Sequence, residues 1–291
     1  MSPFRLWLLA ARPRTLPAAV APVLVGTSLA ITEDVFRPLA FAAALIGSVF
    51  IQIGTNLSND YSDARRGADT EDRLGPVRVT AGGLMPPRRV LVGTYVAFGV
   101  AVAAGLYLAA VAGWELLVVG AASILAGVLY TGGPRPYGYE GLGELFVFTF
   151  FGLVAVAGSY FVQTEELRWE AVALGVPVGL LAAAILVVNN VRDIDTDRRA
   201  GKRTLAVKLG RRRARSLFAG MIVASFACCP GLAPALSAWV LLPLAALPLA
   251  PPLLRTVATR TDGPALNGAL AGTGRLLAVF SLLLAGGVLL S

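Results

Sequence analysis

From Leu16 to Ile31 the chain carries no charged side chain, and eight further runs of comparable length follow, none holding more than one Asp, Glu, Lys or Arg. Crossing roughly 30 Å of hydrocarbon takes about 20 such residues as a helix. Only helices and closed barrels satisfy their own backbone hydrogen bonds in lipid, and continuous rather than alternating runs argue against a barrel. The pattern predicts an all-α integral membrane protein. Nine transmembrane helices are expected at about 15–32, 38–58, 90–112, 115–131, 144–163, 170–190, 215–233, 236–254 and 268–290, in a single transmembrane domain covering 1–291. Ahead of them Phe4, Trp7, Leu8 and Ala11 recur at helical spacing beside Arg5 and Arg12, the pattern of a helix lying in the interface. Pro243, Pro248, Pro251 and Pro252 predict a kinked or short eighth span.

Charge sets the orientation. With the N-terminus in the cytoplasm, 23 of the 25 Lys and Arg fall on that side, and Arg37 and Arg168 alone stay outside. The net charge of +8 is therefore topological first, although it also suits anionic lipid or a phosphate-bearing substrate. No nucleic acid partner is expected, because no soluble basic domain is present. The run ending Thr27-Ser28-Leu29-Ala30 has the look of a signal peptide, but with eight more runs behind it a first span is the better reading.

What is missing narrows the chemistry further. The chain has no histidine, which removes imidazole ligation of haem, most zinc sites and histidine proton transfer. Both lysines, Lys202 and Lys208, sit in one loop, so no intramembrane Schiff base is available. Cys228 and Cys229 are neighbours within an apolar run and read as small core residues. No nucleotide-binding loop of the Gly-Lys-Ser type occurs. Carboxylates, amides, arginines and a bound hard cation remain.

Two acidic clusters supply them. Asn56-Leu-Ser-Asn59-Asp60-Tyr-Ser-Asp63 and Asn189-Asn190-Val-Arg192-Asp193-Ile-Asp195-Thr-Asp197 each close an apolar run, where ionised groups are costly unless something holds them. A shift of 134 positions lays Asn56 on Asn190, Asn59 on Asp193, Asp63 on Asp197, Gly67 on Gly201 and Thr70 on Thr204. On helices, Asn56, Asp60 and Asp63 would share one face, as would Asn189, Asp193 and Asp197, while Asp195 points elsewhere. Such oxygen-only faces suit Mg²⁺, which keeps several waters and is completed by phosphate oxygens. Arg65, Arg66, Arg73 and Arg78 follow the first cluster, and Arg198, Arg199, Lys202 and Arg203 the second, offering forks for a diphosphate. One such cluster alone reads equally well as a surface ion-pair network; it is the duplication that favours metal. Tyr130 and Glu144 are further cavity candidates, with an interfacial carboxylate the alternative for Glu144. Arg12 and Arg14 suit an acceptor's carboxylate or simple membrane anchoring.

These two motifs, running on to Gly67-Ala-Asp69-Thr70 and to Gly201-Lys202-Arg203-Thr204-Leu205, resemble the Asp-rich motifs of the UbiA superfamily of intramembrane prenyltransferases. Arg12-Pro13-Arg14-Thr15-Leu16, Arg73 through Arg78, Tyr139 through Glu144 and Thr204 through Gly210 are similar to its menaquinone branch. The resemblance implies nine helices around a central cavity with Mg²⁺ and a polyprenyl diphosphate at its cytoplasmic cap, in the inner (plasma) membrane. By it, Asn59, Asp60, Asp63, Asp193 and Asp197 stand on the metal side, the four aspartates being catalytic, and Asn56, Asn190, Arg73, Arg78, Lys202 and Arg203 contact diphosphate. Gly67 occupies a place where many relatives carry a further carboxylate, and Asp69 is the nearest substitute. The implied acceptor is 1,4-dihydroxy-2-naphthoate, prenylated with loss of carbon dioxide to give demethylmenaquinone, with membrane lipid as surroundings. Another aromatic acceptor, such as 4-hydroxybenzoate, homogentisate or a protohaem, is the alternative. A transporter, which also repeats polar clusters, is the reading from another class.

Overall fold

The computed structural model describes residues 1–68 and 74–291, so Asp69 and Arg73 of the expected site lie outside the described residues. Among the described residues the structure is helical and contains no strand. A short helix, α1 (Pro3–Ala11), is followed by α2 (Pro17–Ile31), α3 (Pro38–Arg65), α4 (Pro87–Ala112) and α5 (Glu115–Leu129). Then come α6 (Gly143–Thr164), α7 (Trp169–Arg199), α8 (Leu205–Leu232), α9 (Ala238–Thr259) and α10 (Gly263–Leu289). Among the described residues seven of these are long and apolar enough to cross a membrane, or eight if the bent pair α1–α2 counts as one span.

Two of the nine expected spans fall short of that standard. Helices α2 and α5 have 15 residues each, about 22 Å at 1.5 Å per residue against roughly 30 Å of hydrocarbon. The first is foreshortened by a bend of 53° from the α1 segment, where Arg12 takes φ 54°. Interfacial α1 is held in place by Trp7, whose indole fills the space a side chain at Gly93 of α4 would occupy. Proline shapes α9 as expected: residues Ala238–Leu249, containing Pro243 and Pro248, form 3₁₀ turns before an α-helix over Ala250–Thr259.

Helices α3 and α7 outrun their apolar stretches, reaching Arg65 and Arg199 with both polar clusters still helical. Nothing in either cluster breaks a helix until Gly67 and Gly201, which adopt φ +63° and +74° and reverse the chain. The internal match at 134 positions is thus one of geometry as well as of residue type. Helix α8 starts ten residues before the expected 215, with a kink at Gly210 (φ 76°, ψ 159°).

Helix α7 is the axial element, with Leu174, Val178, Leu181 and Val188 fully buried. Without a hydrophobic driving force in lipid, helices associate through close backbone approach at small residues. Gly152 of α6 meets Gly175 and Gly179 of α7 in this way, and Gly26 of α2 lies against Val156 of α6, where an added Cβ would stand 2.1 Å from the carbonyl oxygen. Gly26→Ala is therefore expected to destabilise by about 1–3 kcal/mol through overpacking. Gly99→Ala, at a position with open space around it, should be neutral or gain up to about 1 kcal/mol from helix propensity. Thermal unfolding of both variants in detergent checks the pair.

Candidate functional site

The C-terminal ends of α3 and α7 converge on a cavity of about 350 Å³. Asn56, Asn59 and Asp63 reach it from α3, and Asn189, Asn190, Asp193 and Asp197 from α7. Arg12, Arg78, Lys202 and Thr204 join the polar end, while Ile51, Phe146, Phe150, Val154, Ile185 and Leu186 are among its apolar walls.

Asp63 is the hub. Its Oδ1 accepts a 2.6 Å hydrogen bond from the Tyr139 hydroxyl, and its Oδ2 faces Arg78 Nη2 and Lys202 Nζ, each at 3.4 Å. Lys202 also stands 4.8 Å from the centre of the Tyr139 ring. Four positions distant in sequence, 63, 78, 139 and 202, are thereby tied across the cavity mouth, and the Arg203 amide donates to Tyr139 O at 2.9 Å to close the set. On the facing helix, Arg192 is almost fully buried and forks onto both oxygens of Asp193, Nε to Oδ1 at 2.8 Å and Nη2 to Oδ2 at 2.6 Å. Its remaining donors reach Asn189 Oδ1 and Asn267 Oδ1, both at 2.7 Å. Asn267 of α10 in turn donates to Leu74 O at 3.0 Å, linking the second cluster to the loop beyond the first.

Of the expected site residues, Asn56, Asn59, Asp63, Arg78, Tyr130, Asn190, Asp193, Asp197 and Lys202 line this one cavity. Asp60 does not. Its two oxygens accept the backbone N–H groups of Val79 (3.1 Å) and Thr80 (2.9 Å), so the carboxylate caps a turn instead of facing the cavity. The face that α3 presents is accordingly Asn56, Asn59 and Asp63, and the expected grouping of Asp60 with Asp63 is corrected. Arg203 is exposed and outside the lining. Glu144 also stands behind the wall, buried, with Oε1 accepting Asn190 Nδ2 at 2.8 Å and Oε2 bare of any hydrogen bond. Arg65 and Arg66 turn to the Tyr61 hydroxyl and Gly133 O, and exposed Asp195 pairs with Arg211, pointing elsewhere as its helical phase requires.

The amides have structural duties too. Asn56 Nδ2 donates to Ala11 O (2.9 Å) and Thr15 Oγ1 (3.1 Å), pinning the α1–α2 elbow to α3. Asn59 Oδ1 accepts from Thr131 at 2.9 Å. Beyond them an aromatic column runs down the wall, with Tyr137 stacked on Phe146 at 4.0 Å and Phe146 on Phe150 at 6.0 Å. Burial pushes the Tyr137 phenol above its ordinary range, so it stays neutral and donates to Ala126 O at 2.8 Å.

Does this donor set suit Mg²⁺? Asn59, Asp63, Asp193 and Asp197 offer only hard oxygens, and among the described residues no three acidic side chains form a ready-made metal cage. Mg²⁺ held by a few carboxylate and amide oxygens takes water and substrate phosphate as its further ligands. Diphosphate has a receptive element as well: the buried Thr204 hydroxyl, at the N-cap of α8, has no hydrogen-bond partner and lines the cavity beside Lys202. Tyr139, Arg192 and Thr204 received no role from spacing. For Arg192 the signal was present: an arginine at the close of an apolar run next to an aspartate costs too much to be left unpaired.

Residues 19–269 match a family model described as UbiA prenyltransferase family. A Mycobacterium leprae protein named 1,4-dihydroxy-2-naphthoate octaprenyltransferase is 42% identical over 291 residues, covering 100% of this chain and 98% of the relative. The Escherichia coli protein of the same name is 39% identical, covering 98% of this chain and 95% of its own. Among solved structures, a UbiA homolog from Archaeoglobus fulgidus bound to DMAPP and Mg²⁺ superposes with a TM-score of 0.62 at 14% identity, over 97% of this chain and 98% of that one. At that identity the likeness establishes the fold.

Proposed function

Because the chain belongs to the UbiA prenyltransferase family and is a multi-pass membrane enzyme moving a polyprenyl group to an aromatic acceptor, we propose 1,4-dihydroxy-2-naphthoate as that acceptor and Mg²⁺ as the metal. The observation that carries the site assignment is the meeting of two matched oxygen-rich helix ends, Asn59/Asp63 and Asp193/Asp197, at one cavity beside Arg78 and Lys202. The reading includes nine spans with α2 and α5 counted, one transmembrane domain over 1–291 in the inner (plasma) membrane, and a cytoplasmic N-terminus and site, an orientation supported by the placement of basic residues.

Asn59, Asp63, Asp193 and Asp197 would hold Mg²⁺, which when bound supplies Lewis-acid neutralisation of the diphosphate. The side chains then have separable duties. Arg78 and Lys202, now balancing Asp63, are placed to grip diphosphate oxygens together with the Thr204 hydroxyl. Cleavage of the allylic C–O bond sends its electron pair to the leaving diphosphate, and these cations stabilise the charge that develops. The apolar wall keeps water from the allylic cation while the ring carbon that bears the carboxylate attacks it. With the C–C bond to the carboxylate breaking, its pair restores the aromatic ring and carbon dioxide departs, leaving demethylmenaquinone in its reduced, diol form. Asp60 acts on the turn at Val79–Thr80 and so on the approach of Arg78. Arg203, exposed, contributes through its backbone. Glu144 holds Asn190, and Tyr130 lies within reach of the acceptor space.

Membranes containing the protein are expected to prenylate 1,4-dihydroxy-2-naphthoate with stoichiometric release of carbon dioxide, to stop on chelation and to resume with Mg²⁺. Prenylation of 4-hydroxybenzoate or homogentisate but not of the naphthoate would overturn the acceptor.

A further inference from the structure

Helix α1 has two apolar faces where an interfacial helix needs one. Leu6, Leu9 and Ala10 pack into a small cluster with Ile53 and Leu57 of α3 and with Val79, Met85 and Val90. Phe4, Trp7, Leu8 and Ala11 form the other face, and together with Ile53 and Leu57 they surround a second cavity of about 220 Å³. Every residue lining it is apolar. Gly93 of α4 stands at its flank, since a Cβ there would meet both the Trp7 ring and Leu57. The volume falls below the roughly 300–1,000 Å³ of a pocket for a drug-sized ligand, so this slot suits a slim chain rather than another ring system.

Charge says what such a chain carries at its head. Residues 1–32 and 74–114 contain no Asp or Glu, so nothing on α1, α2 or α4 offsets the arginines beside the slot. Arg5 lies, by helical phase, between the slot face and the packed face of α1. Arg89 precedes Gly93 by four residues and shares its side of α4, one turn nearer the helix start. Both are exposed, as is Arg88, and none has a side-chain hydrogen bond or ion pair among the described residues. The acids at the end of α3 are already engaged, Asp60 by the Val79 and Thr80 amides and Asp63 by Arg78, Lys202 and Tyr139. An apolar slot under a basic, acid-free rim matches a phospholipid with an anionic head.

The slot shares a wall with the reaction cavity. Ala11 and Leu57 line the slot, while their chain neighbours Arg12 and Asn56 line the cavity. Asn56 Nδ2 donates to Ala11 O at 2.9 Å, and Arg12 Nη2 donates to Asn56 O at 3.4 Å. Whatever holds α1 against α3 therefore also sets Arg12, whose φ of 54° makes the elbow.

We propose that this slot seats one anionic phospholipid, with an acyl chain between α1 and α3 and its phosphate between Arg5 and Arg89, and that the bound lipid holds the α1–α2 elbow with Arg12 at the reaction cavity. Binding stands on the slot itself; the effect on turnover rests on the prenyltransferase reading.

The test uses the full chain in nanodiscs of phosphatidylcholine with or without phosphatidylglycerol. Arg5→Gln/Arg89→Gln is compared with Arg212→Gln/Arg213→Gln, an equal loss of charge at exposed positions of α8. After extraction into detergent, native mass spectrometry is expected to find phosphatidylglycerol retained on wild type and on the α8 variant, and retention lowered roughly tenfold in the α1/α4 variant. Prenylation by wild type and by the α8 variant should run several-fold faster when phosphatidylglycerol is present, a gain that the α1/α4 variant loses. Equal retention by the two variants would mean general attraction to a charged surface and overturns the seat. Displacement of the retained lipid by octaprenyl diphosphate also overturns it. A retained lipid with no gain in rate removes the coupling to Arg12. Absence of turnover by wild type in either lipid overturns the prenyltransferase reading, and retention alone then decides the seat.

Discussion

Asp63→Ala and Asp197→Ala are each expected to lower Mg²⁺-dependent prenyl transfer by about 10²–10³-fold or more, the scale seen when a group that stabilises developing charge is removed. Both line the cavity, one from each helix, so losing either leaves one wall of the metal site with a single ligand, Asn59 or Asp193. Removing Asp63 has a second consequence, because its carboxylate balances Arg78 and Lys202 and receives the Tyr139 hydroxyl. Lys202 and Arg78 are then released to repel one another across the mouth, and KM for the donor should shift as well as kcat. Asp197→Ala should act mainly on kcat and on the Mg²⁺ concentration needed. Initial rates in membranes against Mg²⁺ and donor, with gel-filtration profiles confirming folded protein, measure both. Near-normal activity in either variant would contradict the site assignment.

A second large effect is expected at Arg192. Arg192→Met removes the fork that neutralises Asp193 in a buried setting, and breaking one side of a buried pair costs about 3–5 kcal/mol because the other charge is stranded. It also deprives Asn189 and Asn267 of their donor, loosening the tie between α7, α10 and the Leu74 segment. Arg192→Met combined with Asp193→Asn should recover much of the stability, since no isolated charge remains, while activity stays lost. Arg192→Lys keeps the charge but cannot span both Asp193 oxygens and two amide oxygens together. Thermal unfolding in detergent beside the prenylation assay separates the two roles: recovered stability without recovered turnover in the double variant is the expected signature. Recovery of turnover would show that Asp193 acts only as a partner for Arg192.

Much of the site was legible along the chain because a carboxylate at the end of an apolar run is costly in a way that shows in spacing. Asn59, Asp63, Asp193 and Asp197 stand out for that reason, and the repeat at 134 residues pairs them. Asp60 sits in the same motif, yet helical phase alone cannot distinguish it from Asn59, since positions three and four residues beyond Asn56 flank the same face. The choice between them was made by a turn at Val79–Thr80, whose two amides needed an acceptor and found Asp60. Tyr139 belongs to a loop 76 residues after Asp63, and no local pattern announces that its hydroxyl reaches that carboxylate.

Local composition by itself determined the membrane as solvent, the helical class and the two oxygen-rich ends, because transfer into hydrocarbon is a property of each side chain and each backbone group where it stands in the chain. Tertiary structure alone decided that the two ends share one cavity, which cations balance Asp63, how Arg192 reaches from Asp193 to Asn267, and that α5 stands apart from α6. Those are matters of which helix faces which, and in lipid that is settled by the close fit of small residues such as Gly26, Gly152 and Gly179 across distant segments, information that no single stretch of the chain contains.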